Sequence, residues 1–233
     1  MIFDSAYERG DYDYLYANYL GDGHGSLGRS VKRHCEEHPT EMAVDLCAGT
    51  GHMAFHLFDC GVDTVVAVDK HQAVLDRILR KFPPIYRATR NLLALSYDLD
   101  EPGSFKKILD FSARDFGFDL VTCRQGIGYL DPATLSLIPD RLLDRGGVFL
   151  FNSFVEPPKG QPWFHNRGDG IYEAGVYYDG RVYHAQFRWP RLDLTMFEWH
   201  DIVGVHGPAW ERKGYEVDVA RHNRTLIVKV IKP

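Results

Sequence analysis

The chain has 233 residues and a formal net charge of -5 at pH 7, with a sequence pI near 6.1. Hydrophobic residues make up 45% and charged residues 25%, the balance of a globular protein with a full core. No apolar run approaches the ~20 residues of a membrane helix, no basic tract offers a nucleic-acid footprint, and MIFDSAYERGDYDY lacks the apolar stretch of a secretion signal, so the expected setting is the cytoplasm.

Residues 1–40 read as an N-terminal helical lid. Tyr7, Tyr12, Tyr14, Tyr16 and Tyr19 crowd its first half, and GSLGRSVKRHCEEH (25–38) reads as a helix. This segment either closes over a site or packs on a sheet edge. From there strands and helices alternate. AVDLC (43–47) is a strand and HMAFHLFDC (52–60) a helix; DTVVAVD (63–69) is a strand and HQAVLDRILRKF (71–82) a helix, stopped by Pro83-Pro84. Arg77, Arg80, Lys81, Arg87 and Arg90 read as a solvated face. LLALSYDL (92–99) is the third strand. Residues 104–116 follow as a helix, because Phe105, Ile108, Leu109, Ser112, Ala113 and Phe116 share one face. A strand near 107–111 ending at Ser112 is the alternative. FDLVTC (118–123) is the fourth strand, and a helix over 132–143 takes Asp131 as N-cap and Pro132 as its first residue. Gly146-Gly147 then opens the strand VFLFNSF (148–154). Such alternation builds a parallel sheet covered on both faces. Beyond it, IYEAGVYY and RVYHAQFRW flank Asp179-Gly180 as a hairpin in an antiparallel insertion at about 155–200, and GYEVDVA and RTLIVKVI close the chain as an antiparallel pair.

The chemistry concentrates in VDLCAGTGH (44–52), a strand running into a small-residue turn that opens a helix. Gly49-x-Gly51-x-x-Ala54 fits a dinucleotide fingerprint loosely. Asp45 favours a different ligand. A carboxylate here is unfavourable beside a pyrophosphate and favourable beside the ammonium and sulfonium of S-adenosylmethionine. Asp69 ends the second strand, where a carboxylate suits the ribose hydroxyls of either cofactor. Asp98 either meets an adenine amino group or caps a turn.

The segments DLCAGTG, AVD, YDL, FDLVTCRQGIGYL and LLDRGGVFLFNSF, in this order and spacing, resemble the class I S-adenosylmethionine-dependent methyltransferases, small-molecule branch, over residues 40–154. The terminal GYEVDV and TLIVKVI resemble that family's last two strands. The resemblance implies a Rossmann-like α/β fold, a mostly parallel seven-stranded sheet with antiparallel C-terminal strands, in a domain spanning 41–233. It implies that Asp45, Cys47, Ala48, Gly49, Gly51, Asp69, Lys70, Asp98, Leu99, Cys123, Arg124 and Gln125 border the cofactor, with either Asp98 or the Ser112 region at the adenine. Cys47 stands where the family often has glycine. A side chain there is expected to hold the backbone at negative φ.

Methyl transfer needs alignment and exclusion of water more than a base. The residues expected to face the acceptor are Tyr14, Gln125, Tyr129, Asn152 and Tyr177, with Tyr129 and His200 as candidates for catalysis; His165 and Trp189 lie in the same insertion. No Asp-Pro-Pro-Tyr-like element follows the fourth strand. With the acidic charge, this points to a small-molecule acceptor and away from nucleic acid. The pair His34/His38 lacks the order of a zinc site, His52/His56 lie on the helix expected to flank the cofactor, and the four cysteines form no C-x-x-C, so no metal and reduced thiols are expected. Three rivals remain: a cyclase or lyase acting on the aminobutyrate arm of S-adenosylmethionine, an NAD(P)-dependent oxidoreductase, and a non-catalytic binding protein.

Overall fold

In the computed structural model, which describes residues 23–87, 89–111, 117–124, 126–127, 130–154, 164–168, 171–178, 181–188, 196–222 and 225–233, the apolar runs become strands of one central sheet. The elements in chain order are α1 (Gly23–Glu37), β1 (Met42–Leu46), α2 (His52–Asp59), β2 (Thr64–Asp69), α3 (Gln72–Lys81), α4 (Pro84–Arg87), β3 (Asn91–Ser96), α5 (Ser104–Phe111), β4 (Phe118–Arg124), α6 (Pro132–Leu142) and β5 (Leu143–Phe154). There follow β6 (Phe164–Gly168), β7 (Ile171–Tyr178), β8 (Arg181–Arg188), α7 (Met196–Glu211), β9 (Glu216–His222) and β10 (Thr225–Ile231).

The seven-stranded sheet has the order β3-β2-β1-β4-β5-β10-β9. The first five strands run parallel, and β10 lies antiparallel to both β5 and β9. The chain steps outward from β1 in one direction and from β4 in the other, so the switch point falls between β1 and β4. Open α/β sheets bind ligands at such a point, outside the carboxyl ends of the strands.

Alternation decides which side chains meet there. Val44, Leu46, Val66, Val68, Val121 and Cys123 pack into the cluster on one face of the sheet. Ala43, Val65, Ala67 and Leu120 pack into the cluster on the other, with Leu27 and Val31 of α1, Leu57 of α2 and Ile78 of α3. Fully burying each large apolar side chain contributes about 1.5–3 kcal/mol. A one-residue slip would exchange the faces, so the register is strongly specified. With period 2 fixed, Asp45, Asp69, Thr122 and Arg124 all fall on the α1–α2 face at the ends of three adjacent strands.

Element boundaries differ in instructive places. The third strand stops at Ser96, before Asp98, whose Oδ1 accepts the Asp100 N–H at 3.1 Å and turns the chain. Residues 104–111 are helical, which removes the alternative strand at 107–111; Ser112–Phe116 lie outside the described residues. Asp131 stands at the N-cap and Pro132 begins α6, but the Asp131 carboxylate caps no helical N–H, and its carbonyl accepts from Leu135 instead. The last long parallel strand begins at Leu143, not at Val148. Its register with β4 jumps from Phe118↔Leu143 to Leu120↔Val148, so Gly146-Gly147 form an irregularity within β5. A Cβ on Gly147 would come within 2.6 Å of the Phe118 carbonyl, which is why glycine stands there. Among the basic residues at 77–90, Arg80 and Lys81 face solvent and Arg90 pairs with Asp63. β6, β7 and β8 form a separate antiparallel sheet, with β7 and β8 paired around 179–180 as a hairpin.

Candidate functional site

Asp45 is 1% exposed on an apolar strand. Its register partner on β4 is Thr122, whose hydroxyl donates to Oδ1 at 3.0 Å. Among the described residues Oδ2 has no hydrogen-bond partner. A buried carboxylate oxygen left unpaired costs free energy, and in a native fold a water, a proton or a ligand answers it. Burial pushes the Asp45 carboxyl up to about 7, against the Thr122 hydrogen bond, the nearby Arg124 charge and a weaker pull from the Ala54 backbone N–H at the start of α2; the Asp69 charge adds to the rise.

The turn after β1 is held by three of its backbone N–H groups. The Ala48 N–H donates to the Val68 carbonyl at 2.9 Å, the Gly49 N–H to Asp69 Oδ2 at 3.0 Å, and the Gly51 N–H to the Ala48 carbonyl at 3.0 Å. The other Asp69 oxygen accepts the His71 N–H at 2.9 Å. Gly49 and Gly51 have φ of 53° and 86°. So does the residue expected to differ: Cys47 has φ 53°, which corrects the expectation of a negative angle. The left-handed region costs a residue with a Cβ about 1–2 kcal/mol. The hydrogen bonds of the two residues after Cys47 and its packing on the core outweigh that strain. Its Sγ lies toward the Gly126 carbonyl, at 4.0 Å. The Cys123 thiol beside it, and then burial, push the Cys47 thiol well up, so it stays protonated.

A small cavity of about 30 Å³ lies over this turn, lined by Asp45, Cys47, Ala48, Gly49, Thr50, His52, Met53 and Arg124. Asn152, wholly buried, pairs in register with Arg124 on the neighbouring strand.

Solved structures with the same architecture are numerous. A methyltransferase dependent on S-adenosylmethionine from Clostridium acetobutylicum ATCC 824 matches 97% of this chain with 99% of its own, at 14% identity and a TM-score of 0.59. A sugar N-methyltransferase from Streptoalloteichus sp ATCC 53650 matches 95% with 93%, at 19% identity and 0.58. The 1,6-didemethyltoxoflavin-N1-methyltransferase of Burkholderia thailandensis, solved with 1,6-didemethyltoxoflavin and S-adenosylhomocysteine, matches 99% with 85%, at 14% and 0.57. The chain has the fold of these methyltransferases. No protein-family model matches the sequence, and no curated protein matches it.

Within this methyltransferase fold, Asp45, Cys47, Ala48, Gly49 and Arg124 converge on one cavity, and Asp69 braces its turn. Lys70 is exposed beyond the end of β2. Asp98 shapes the turn after β3, while Leu99 and Cys123 are buried in the core cluster of the opposite face. Tyr14, Gln125 and Tyr129 lie outside the described residues, as does Trp189. Tyr177 stands on β7, His200 on α7 and His165 on β6; their side chains also lie outside the described set. The His34 and His38 rings are 5.0 Å apart, and burial pushes the His34 imidazole down to about 4. Among the described residues no three His, Cys, Asp or Glu groups form a metal set.

Thr122, Thr50 and Gly126 belong to the surroundings of this turn without standing out in any motif. Thr122 was detectable as the one hydroxyl in the apolar run FDLVTC, at the height where β1 carries its carboxylate. Gly126 was not, since its need for glycine arises from a tertiary approach: a Cβ there would stand 2.4 Å from Cys47 Cβ.

Proposed function

We propose that this chain transfers the methyl group of S-adenosylmethionine to a small molecule. The observation that carries the reading is the Asp45 carboxylate, buried, unpaired at Oδ2 and facing the glycine turn. It suits a cationic ligand end and opposes a phosphate, which sets aside a dinucleotide. The arrangement fits the cofactor. Asp45 takes its cationic end, the backbone of Gly49 and Gly51 lies under its methionine portion, and Arg124 faces its carboxylate. Asp69 keeps lone pairs for ribose hydroxyls beside the backbone N–H groups it already accepts. Lys70, Asp98, Gln125 and the backbone at Leu99 and Cys123, whose side chains point into the core, complete the cofactor's surroundings in this reading.

When bound, S-adenosylmethionine supplies a methyl carbon activated by the sulfonium, with the C–S electron pair left on sulfur as a neutral thioether. This chain's own contribution is to align an acceptor with that bond and to exclude water. Tyr14, Gln125, Tyr129, Asn152 and Tyr177 are assigned to the acceptor side, with Tyr129 and His200 available to take a proton from it. Among the described residues no helix is long and apolar enough to cross a membrane, and Cys35, Cys47, Cys60 and Cys123 are free thiols. Thiols in that state suit the cytoplasm.

Incubating the protein with methyl-labelled S-adenosylmethionine and a panel of small amines, alcohols and acids, followed by mass spectrometry, tests the reaction. S-adenosylhomocysteine with a labelled acceptor is the expected outcome. Methylthioadenosine formed from the cofactor alone would replace methyl transfer by chemistry on the aminobutyrate arm.

A further inference from the structure

A second, larger cavity of about 400 Å³ adjoins the first on the same face of the sheet, between α1 and the start of α2. Arg29 and Lys32 of α1, His52 and His56 of α2, and Arg124 of β4 line it, and among the described residues no Asp or Glu does. On a chain of net charge -5 this is a local reversal of sign. Arg29 and Lys32 stand three residues apart, on one face of α1. Glycines at 25 and 28 also line the cavity and leave that face without further side chains. A ring nitrogen of His56 bonds the Gly28 carbonyl at 2.9 Å, which fixes α1 against α2. Lys32 also meets Glu36 at 3.8 Å, but both side chains are more than 60% exposed (63% and 64%), and such pairs hold a lysine weakly.

The charge exceeds what the cofactor can use. S-adenosylmethionine carries one carboxylate, and Arg124, which lines both cavities, is placed for it. Arg29 and Lys32 line the outer cavity alone. We propose that the outer cavity binds the anionic group, carboxylate or phosphate, of the methyl acceptor, held by Arg29 and Lys32. The inference rests on the methyl-transfer reading. His52 and Met53, shared by the two cavities, put such a ligand directly beside the cofactor.

Isothermal titration of the full chain tests it in two stages. S-adenosylhomocysteine is titrated first; inorganic phosphate or acetate is then titrated into the complex, for wild type, R29Q/K32Q and R29K/K32R. The expected result is that one anion binds the wild-type complex and weakens about tenfold or more in R29Q/K32Q, with R29K/K32R retaining it and S-adenosylhomocysteine affinity unchanged. The anion that binds identifies the acceptor's group. Equal anion binding by R29Q/K32Q, or neither anion binding wild type beyond a chloride control, overturns the proposal. So does a tenfold loss of S-adenosylhomocysteine affinity alongside the anion's, because it gives the cavity to the cofactor's own carboxylate. If S-adenosylhomocysteine fails to bind wild type while the anion still depends on Arg29 and Lys32, the methyl-transfer reading falls and the anion site stands.

Discussion

Asp45→Asn is expected to weaken S-adenosylmethionine binding about tenfold to a hundredfold while making the ligand-free chain more stable above pH 7. The two effects share one cause. In the folded chain the Asp45 carboxyl titrates near 7, against 3.8 as its ordinary value. Between about pH 4 and 7 the folded state therefore binds more protons than the unfolded state, and stability falls as pH rises through that window. Above it the buried charge costs the fold about 4 kcal/mol, at roughly 1.4 kcal/mol per pKa unit. Asparagine can still accept the Thr122 hydroxyl and carries no charge. Its own amide N–H groups need partners, which returns about 1–3 kcal/mol of that gain. Urea denaturation should thus show the variant ahead at pH 8 and the gap closing towards pH 4.

Cofactor affinity should move the opposite way. In the wild type it declines as pH falls below about 7 and the carboxyl protonates; in the variant it stays flat over the same range. A carboxylate serving only the fold would lower stability when replaced and leave the cofactor alone. An unchanged affinity in Asp45→Asn would remove the assignment of this turn to a cationic ligand.

Gly126→Ala is expected to cost about 1–3 kcal/mol of stability and to impair cofactor binding with it. The added Cβ would stand 2.4 Å from Cys47 Cβ, 2.8 Å from its Sγ and 2.9 Å from Cys123 Sγ. Cys47 has little freedom to retreat, because the next two residues are tied to Val68 and Asp69 of β2. The push therefore reaches the cofactor turn. Cys47→Gly removes two of the three contacts and suits φ 53°. In the Gly126→Ala background it should restore most of the loss, and a double-mutant cycle measures the coupling. Additive effects in that cycle would show that the two residues do not press on each other.

Residues 40–154 were legible because each strand announces itself as a short apolar run and each helix by its face. The parallel order followed from that alternation. Asp45 stood out as the one carboxylate in its apolar run, with a charge that suits a cationic ligand and opposes a phosphate. Reading failed where the decisive contact is distant in sequence. The φ of Cys47 is set by hydrogen bonds to β2, which outweigh a local preference worth about 1–2 kcal/mol. The basic cavity escaped notice because Arg29 and Lys32 precede β1, and only the packing of α1 on α2 brings them to Arg124. The spacing of His52 and His56 was visible, but it marks a wall of that cavity.

The most direct measurement is titration calorimetry of S-adenosylmethionine, S-adenosylhomocysteine and a nicotinamide dinucleotide against the full chain at a pH of about 7.5. The two sulfur cofactors should bind with dissociation constants on the order of micromolar, and the dinucleotide should give no heat. Silence from both sulfur cofactors at about millimolar concentration, or binding of the dinucleotide in their place, would contradict methyl transfer at this site.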